Sequence, residues 1–254
     1  MRRLRVVPVL LLAQGGMVKT RAFANAQYMG DPINAVKIFN EKQADELVLL
    51  GIEASAKGHI DFDWIEDIVS EAFMPLAYGG GVRTLDDAAE LFKRGVEKVI
   101  LNTAAYENPE LISQIAGRFG AQAVAVSIDA RRNIWKQWKA YVRSGRKETK
   151  VSPKELAQRS EALGAGEILL TSIEREGVFT GYDLDLLEQV AGAVGVPVII
   201  NGGAGAISHF APAVQRGASA VAAGSMFVFA ARGEGMLISY PTQAELRDQF
   251  WSRI

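Results

Sequence analysis

The sequence predicts an α/β fold of the (βα)8 TIM-barrel type, built from two fused half-barrels in one domain over residues 1–254. Apolar runs of strand length alternate with helical segments, the order expected of a parallel sheet covered by crossover helices. Eight such units fit a closed barrel better than an open doubly wound sheet, which seldom keeps so many strands in strict alternation. The second half also repeats the first, and no linker rich in Pro, Gly or Ser divides the chain.

The strands are expected at residues 5–12, 46–52, 75–78, 97–101, 123–129, 167–171, 197–200 and 218–222. Between them Asp31-Pro32, Asn108-Pro109 and Ser152-Pro153 each place a capping side chain before a proline, whose missing N–H costs a first helical turn nothing. Ser152 and Glu155 have capping-box spacing, and Leu85, Ala88, Ala89 and Phe92 recur as an apolar helical stripe. Two connections are long, residues 13–30 after the first strand and 130–151 after the fifth. Both fall where the strands end, the face that carries function in a barrel.

Composition removes several function classes. With 28 basic and 29 acidic side chains the net charge is −1, so any polyanion-binding stripe is local. At 49% hydrophobic and 22% charged, the chain resembles an ordinary globular protein rather than a disordered one. No charge-free apolar run reaches the roughly 18 to 20 residues of a membrane span. Arg2, Arg3 and Arg5 ahead of a short apolar stretch lack a small-residue cleavage site, so the cytoplasm is the expected compartment. There is no cysteine and there are two histidines, His59 and His209. No thiolate nucleophile, sulfur-ligated zinc or all-histidine metal site is available, and neither metal nor cofactor is expected. Chemistry falls to carboxylates, lysines, hydroxyls and backbone.

The repeat, at an offset of about 120 residues, should duplicate any site. Asp45-Glu46-Leu47-Val48-Leu49 resembles Gly166-Glu167-Ile168-Leu169-Leu170; Gly79-Gly80-Gly81 resembles Gly202-Gly203-Ala204; Arg94-Gly95 matches Arg216-Gly217. Each glycine turn is followed one unit later by a small polar pair, Asn102-Thr103 or Gly224-Ser225. Such turns either simply reverse the chain tightly or let backbone N–H groups approach a phosphate. Two symmetric copies favour a ligand with a phosphate at each end, spanning the mouth. Arg5, Glu46, Lys98 and Glu167 stand at the starts of the first, second, fourth and sixth strands with alternating sign. They would either satisfy one another beneath the core or close an entrance in the floor. The fifth strand ends in Asp129, where an acid or base belongs, while its symmetry mate is Leu11.

Together with Gly30-Asp31-Pro32, Asn102-Thr103-Ala104-Ala105 and residues 164–173, these stretches resemble the cyclase subunit of imidazole glycerol phosphate synthase (HisF-like). The likeness runs from about Arg5 to Phe227. It implies a duplicated half-barrel that binds a substrate with two phosphates and pairs with a glutaminase docked at the barrel bottom. It assigns one phosphate to Gly81, Asn102 and Thr103 and the other to Gly177, Gly203 and Ser225. It makes Arg5, Glu46, Lys98 and Glu167 the gate through which ammonia enters. The family's two catalytic aspartates are matched by Asp129 and Leu11, and its second acidic position by Gly51. The acid after the sixth strand is Glu176, and Lys19 and Ser144 are kept. Losing a general acid or base removes about 10²–10⁴ in rate.

The stretches Val9-Leu10-Leu11-Leu12 and Met236-Leu237-Ile238-Ser239-Tyr240-Pro241 resemble a side branch linked to surface-polysaccharide gene clusters. That resemblance implies an ammonia-receiving subunit working with a glutaminase and a third, sugar-amidating enzyme. The alternatives are an authentic cyclase using Asp129 with Glu176 or Lys19, and a phosphosugar-binding scaffold. The insertion 131–150 carries eight Lys/Arg with Trp135, Trp138 and Tyr141, a composition that binds nucleic acid elsewhere. At this net charge a hairpin flap over an anionic ligand is favoured, with no nucleic-acid or membrane partner. Trp64 and Trp251 read as packing residues, and the histidines as surface or satisfied positions.

Overall fold

The computed structural model describes residues 3–231 and 234–254; Arg2 lies outside them. The strands, in chain order, are β1 (Arg5–Ala13), β2 (Gly16–Arg21), β3 (Ala24–Gly30), β4 (Leu47–Gly51), β5 (Leu76–Gly79), β6 (Lys98–Leu101) and β7 (Val124–Arg132). They continue with β8 (Trp138–Val142), β9 (Lys147–Glu148), β10 (Glu167–Ser172), β11 (Val198–Asn201), β12 (Ala220–Ala223), β13 (Phe229–Ala231) and β14 (Glu234–Met236). Parallel pairing runs β1-β4-β5-β6-β7-β10-β11-β12 and returns from β12 to β1, where Arg5 faces Ala220 and Pro8 faces Ala223. Among the described residues this is a closed eight-stranded parallel barrel with helices outside it, as expected.

Closure buries both faces of every barrel strand. Val7, Val9, Val48, Ala77, Ile100, Ala125, Leu169, Ile199, Ala220 and Ala222 pack as one cluster inside the lumen. Their neighbours along the strands, such as Val6, Leu10, Leu47 and Leu49, join the larger core beneath the helices. Four of those ten lumen side chains are alanine, where barrel interiors usually favour bulky branched residues.

Helix starts largely follow their signals. Asp31 accepts a hydrogen bond from Ile33 N with Pro32 in the first turn, and Ser152 and Glu155 form a reciprocal capping box. Asn108 does not cap: it ends the helix Thr103–Glu107, and Pro109 takes the N-cap place of Glu110–Phe119 without a side-chain bond. Ala88 of the expected stripe is buried, with Leu85, Ala89 and Phe92 partly so. Trp64 packs against the core, and Trp251 donates from Nε1 to Leu4 O.

The two long connections are not plain loops. β1 runs on into an antiparallel hairpin with β2 and β3, and β7 does the same with β8 and β9. Leu11 faces Val18 in one and Asp129 faces Tyr141 in the other, so the twofold repeat extends into these extensions. Ahead of the helix Gln243–Gln249, Tyr240 donates to Val6 O of β1, and Leu246 of the helix is buried. Phe250, fully buried, meets Phe210 edge-on at 5.5 Å. Phe250→Ala is expected to cost about 3–5 kcal/mol, read as a lower urea midpoint in equilibrium unfolding.

Candidate functional site

A cavity of about 780 Å³ opens at the rim where the barrel strands end. Asp129, Lys19, Glu176, Gly81, Asn102, Thr103, Gly177, Gly203 and Ser225 all line it, so the expected rim residues converge although they come from different strands and hairpins.

Glycine turns form its two ends. The backbone is left-handed at Gly80 and Gly81 (φ 115° and 77°) and at Gly202 and Gly203 (φ 85° and 109°). Gly79 and Asn201 are the last residues of β5 and β11, so the true counterpart of Gly79-Gly80-Gly81 is Asn201-Gly202-Gly203. The pairing suggested by the letters alone is off by one residue. A Cβ on Gly80 would lie 2.2 Å from Gly51 O, and one on Gly203 would lie 2.2 Å from Gly181 O, contacts only glycine permits. Ser225 is buried, and its Oγ has no hydrogen-bond partner among the described residues. Thr103 Oγ1 accepts from Arg143 N at 3.0 Å. Asn102 Nδ2 donates to Ser127 O at 3.0 Å and to Asp129 Oδ2 at 3.3 Å, which positions the carboxylate.

Between the ends the floor is divided. Asp129 faces Thr171 across β7 and β10, and Leu11 faces Leu50 across β1 and β4, which makes Leu11 and Asp129 structural equivalents. One arc is polar, with Ser127, Asp129, Thr171 and Asn201; the matching arc is Val9, Leu11, Leu50 and Gly79. Ser127, Thr171 and Asn201 were missed by sequence reasoning. Their one signal was polarity inside otherwise apolar strand runs. Burial pushes Asp129 up to about 7, and a weak 3.5 Å bond from Ser127 Oγ pulls the other way. The second family position has no acid either, and a Cβ on Gly51 would lie 2.6 Å from the Tyr78 hydroxyl, which would have to move.

The hairpins bring in the remaining groups. Lys19, on β2, is 2% exposed, and burial lowers its pKa to about 8 while Glu176 acts to raise it. Its Nζ donates to Val9 O at 2.8 Å. Glu176 accepts from Thr20 Oγ1 at 2.9 Å and from Phe23 N at 3.3 Å, and burial holds its pKa above the ordinary value against these bonds and Lys19. Gly177, at φ 71°, lets the β2 backbone approach, since a Cβ there would meet Thr20 O at 2.6 Å. Ser144 Oγ donates to Ile52 O across the mouth, and a Cβ on Gly145 would lie 2.8 Å from the Phe23 ring. Arg143 and Arg146 of the basic insertion line the cavity, while Arg143 and Lys147 pair with Glu107.

At the opposite end, Arg5, Glu46, Lys98 and Glu167 form one closed ring. Arg5 bonds both glutamates, and Lys98 Nζ lies 2.8 Å from Glu46 and 2.6 Å from Glu167. Burial acts to lower the pKa of Lys98, yet the two carboxylates outweigh it and the net shift is upward. Among the described residues no group of His, Cys, Asp and Glu is arranged to hold a metal. His59 is exposed, and His209 Nδ1 accepts from Gly205 N.

A closed (βα)8 barrel whose glycine turns and hairpin extensions recur across one mouth defines a duplicated half-barrel protein. The sequence matches the family described as Histidine biosynthesis protein over residues 5–232. It is 48% identical, over 95% of its length and 97% of theirs, to a Pseudomonas aeruginosa protein named provisionally as imidazole glycerol phosphate synthase subunit hisF2. It is 44% identical to imidazole glycerol phosphate synthase subunit HisF of Streptomyces coelicolor, covering 89% of this chain and 90% of that one. A similarly named HisF of Leptospira interrogans is 42% identical over 97% of this chain and 98% of its own. The chain belongs to the histidine biosynthesis protein family, among its HisF-like imidazole glycerol phosphate synthase subunits.

The position of Asp129 fixes a pH dependence. It keeps its proton in the fold up to about pH 7, whereas an aspartate in the unfolded chain loses it near pH 4. Below that range both states hold the proton; as pH rises through it only the fold does, so stability falls. Asp129→Asn removes this slope: relative to the unmodified protein, its urea midpoint is expected to rise between about pH 5 and about pH 8.

Proposed function

We propose that this protein is the ammonia-receiving subunit of a glutamine-dependent amidotransferase, in which the two-aspartate cyclase reaction is impaired. The observation that carries this reading is that Arg5, Glu46, Lys98 and Glu167 close a ring at the floor while Leu11 stands at the position equivalent to Asp129. A glutaminase subunit docks beneath the ring to form a heterodimer; Phe73, 88% exposed in the turn before β5, offers an apolar contact on that floor. The Arg5–Glu46–Lys98–Glu167 ring gates the entrance. Above it, alanine-rich apolar walls favour neutral ammonia over ammonium, whose desolvation is costly.

At the mouth, Gly81, Asn102 and Thr103 hold one phosphate, and Gly177, Gly203 and Ser225 hold the other. The unpartnered Ser225 hydroxyl supports the second of these. Asp129 moves protons, with Lys19 and Glu176 beside the second cradle. The product is directed to sugar amidation in surface-polysaccharide biosynthesis. A third, sugar-amidating enzyme belongs on the rim, where Tyr28, Met236 and Leu237 remain exposed. The cytoplasm is the assigned compartment, and no helix among the described residues is long and apolar enough to cross a membrane.

The test assays the purified protein with the family's aminoimidazole precursor and ammonium salt, beside Leu11→Asp. The unmodified protein is expected to turn over about 10²–10⁴ more slowly than Leu11→Asp, the typical worth of a general acid or base. Turnover at equal rates would establish instead an authentic cyclase of histidine biosynthesis. Gly51→Asp is expected to give no gain in the same assay, because Tyr78 occupies the space its side chain needs.

A further inference from the structure

Lys19 is not accounted for by conduction or by phosphate binding alone. It is an amine on a hairpin, inserted almost fully into a cavity made by other strands. Among the described residues its Nζ has one hydrogen bond, which it donates to Val9 O. That carbonyl can hold one N–H but cannot share the nitrogen's lone pair. A Cβ on Gly224 would lie 2.4 Å from Nζ, so the amine rests against the backbone immediately before Ser225. Glu176, whose charge acts to raise the Lys19 pKa, is tied to Thr20 and Phe23. A desolvated lysine lining a cavity, with a buried carboxyl at hand, is the arrangement that makes an amine nucleophilic toward carbonyl carbon.

We propose that Lys19 forms an imine with a phosphorylated ketone or aldehyde whose phosphate sits at Gly177, Gly203 and Ser225. The contact of Nζ with Gly224, the residue before Ser225, sets the substrate class: the carbonyl lies only one or two carbons from the phosphate ester. The nitrogen lone pair adds to the carbonyl carbon, and one N–H proton passes to the oxygen to give a carbinolamine. The C–O bond then breaks, the second N–H proton leaves with the hydroxyl, and one water is lost. Glu176, whose pKa burial raises, is placed to relay these protons. Ammonia arriving from below adds to the imine carbon and expels Lys19 as the free amine, so the carbonyl oxygen is exchanged for NH without any redox step. This last exchange rests on the ammonia-receiving reading; imine formation does not.

The test incubates the full chain, without glutaminase or ammonia, with dihydroxyacetone phosphate and sodium borohydride, followed by intact-mass measurement and peptide mapping. One reduced triose phosphate on Lys19 is expected, suppressed by inorganic phosphate. The adduct is expected to be lost in Lys19→Arg, whose thermal unfolding is compared with that of the unmodified protein. Ser225→Ala, which leaves the amine in place, is expected to lower the labelled fraction. No adduct, or an adduct spread over surface lysines and undiminished by phosphate or Lys19→Arg, would overturn the proposal. Either negative result leaves the cyclase assay of Leu11→Asp to decide the amidotransferase reading separately. Added ammonium chloride is expected to release the imine and lower labelling; undiminished labelling would overturn the exchange step.

Discussion

The pairing of β12 with β1 is the constraint from which the rest of the molecule follows. It joins the two ends of the sheet, so that Arg5 meets Ala220 and each barrel strand acquires neighbours on both sides. In an all-parallel closed sheet the strand beginnings must collect at one end and the strand endings at the other. The ring at the floor and the cavity at the mouth are therefore consequences of closure. Two cations and two carboxylates that stand far apart in sequence become a four-membered ring because the starts of β1 and β6 and those of β4 and β10 share one opening.

The twofold repeat makes the departures from symmetry informative. The backbone repeats faithfully, down to left-handed glycine pairs after β5 and β11 and hairpin extensions of β1 and β7. The lining side chains do not repeat. Ser127, Asp129, Thr171 and Asn201 occupy the arc whose counterpart is Val9, Leu11, Leu50 and Gly79. An apolar wall opposite a carboxylate gives it no charge partner and little solvent, which is why Asp129 is driven toward protonation. The glycine turns escape this asymmetry because they are made of backbone.

The hairpins turn an open mouth into a roofed one. The turn between β2 and β3 places Ala22 and Phe23 in the left-handed region, at φ 51° and 63°, which favours glycine or asparagine. That strain, of order 1–3 kcal/mol for each such residue, persists because the surroundings hold it. Glu176 bonds Phe23 N through its side chain and Ala22 N through its carbonyl oxygen, while the Phe23 ring lies over Gly145 of the other hairpin. The same turn delivers Lys19 and Thr20 to the second cradle. Backbone strain and functional placement thus occur in one short segment.

The order of strands and helices, the twofold repeat, the four alternating charges and the absence of an acid at Leu11 were all determined by the sequence itself. Each depends on residue identity at a chain position, and short-range periodicity is enough to locate it. Tertiary structure alone decided which face of each barrel strand points inward: Val6 and Val7 are both fully buried, so alternation leaves no trace in the letters. Ser127, Thr171 and Asn201 became part of the site only once that choice was made. Strand register, invisible in a row of glycines, set the equivalence of Gly81 with Gly203. The environment of Lys19 was likewise beyond reach, since its burial comes not only from Val9 of its own hairpin but from Gly224 and Glu176, groups distant in the chain that it meets only after the barrel closes.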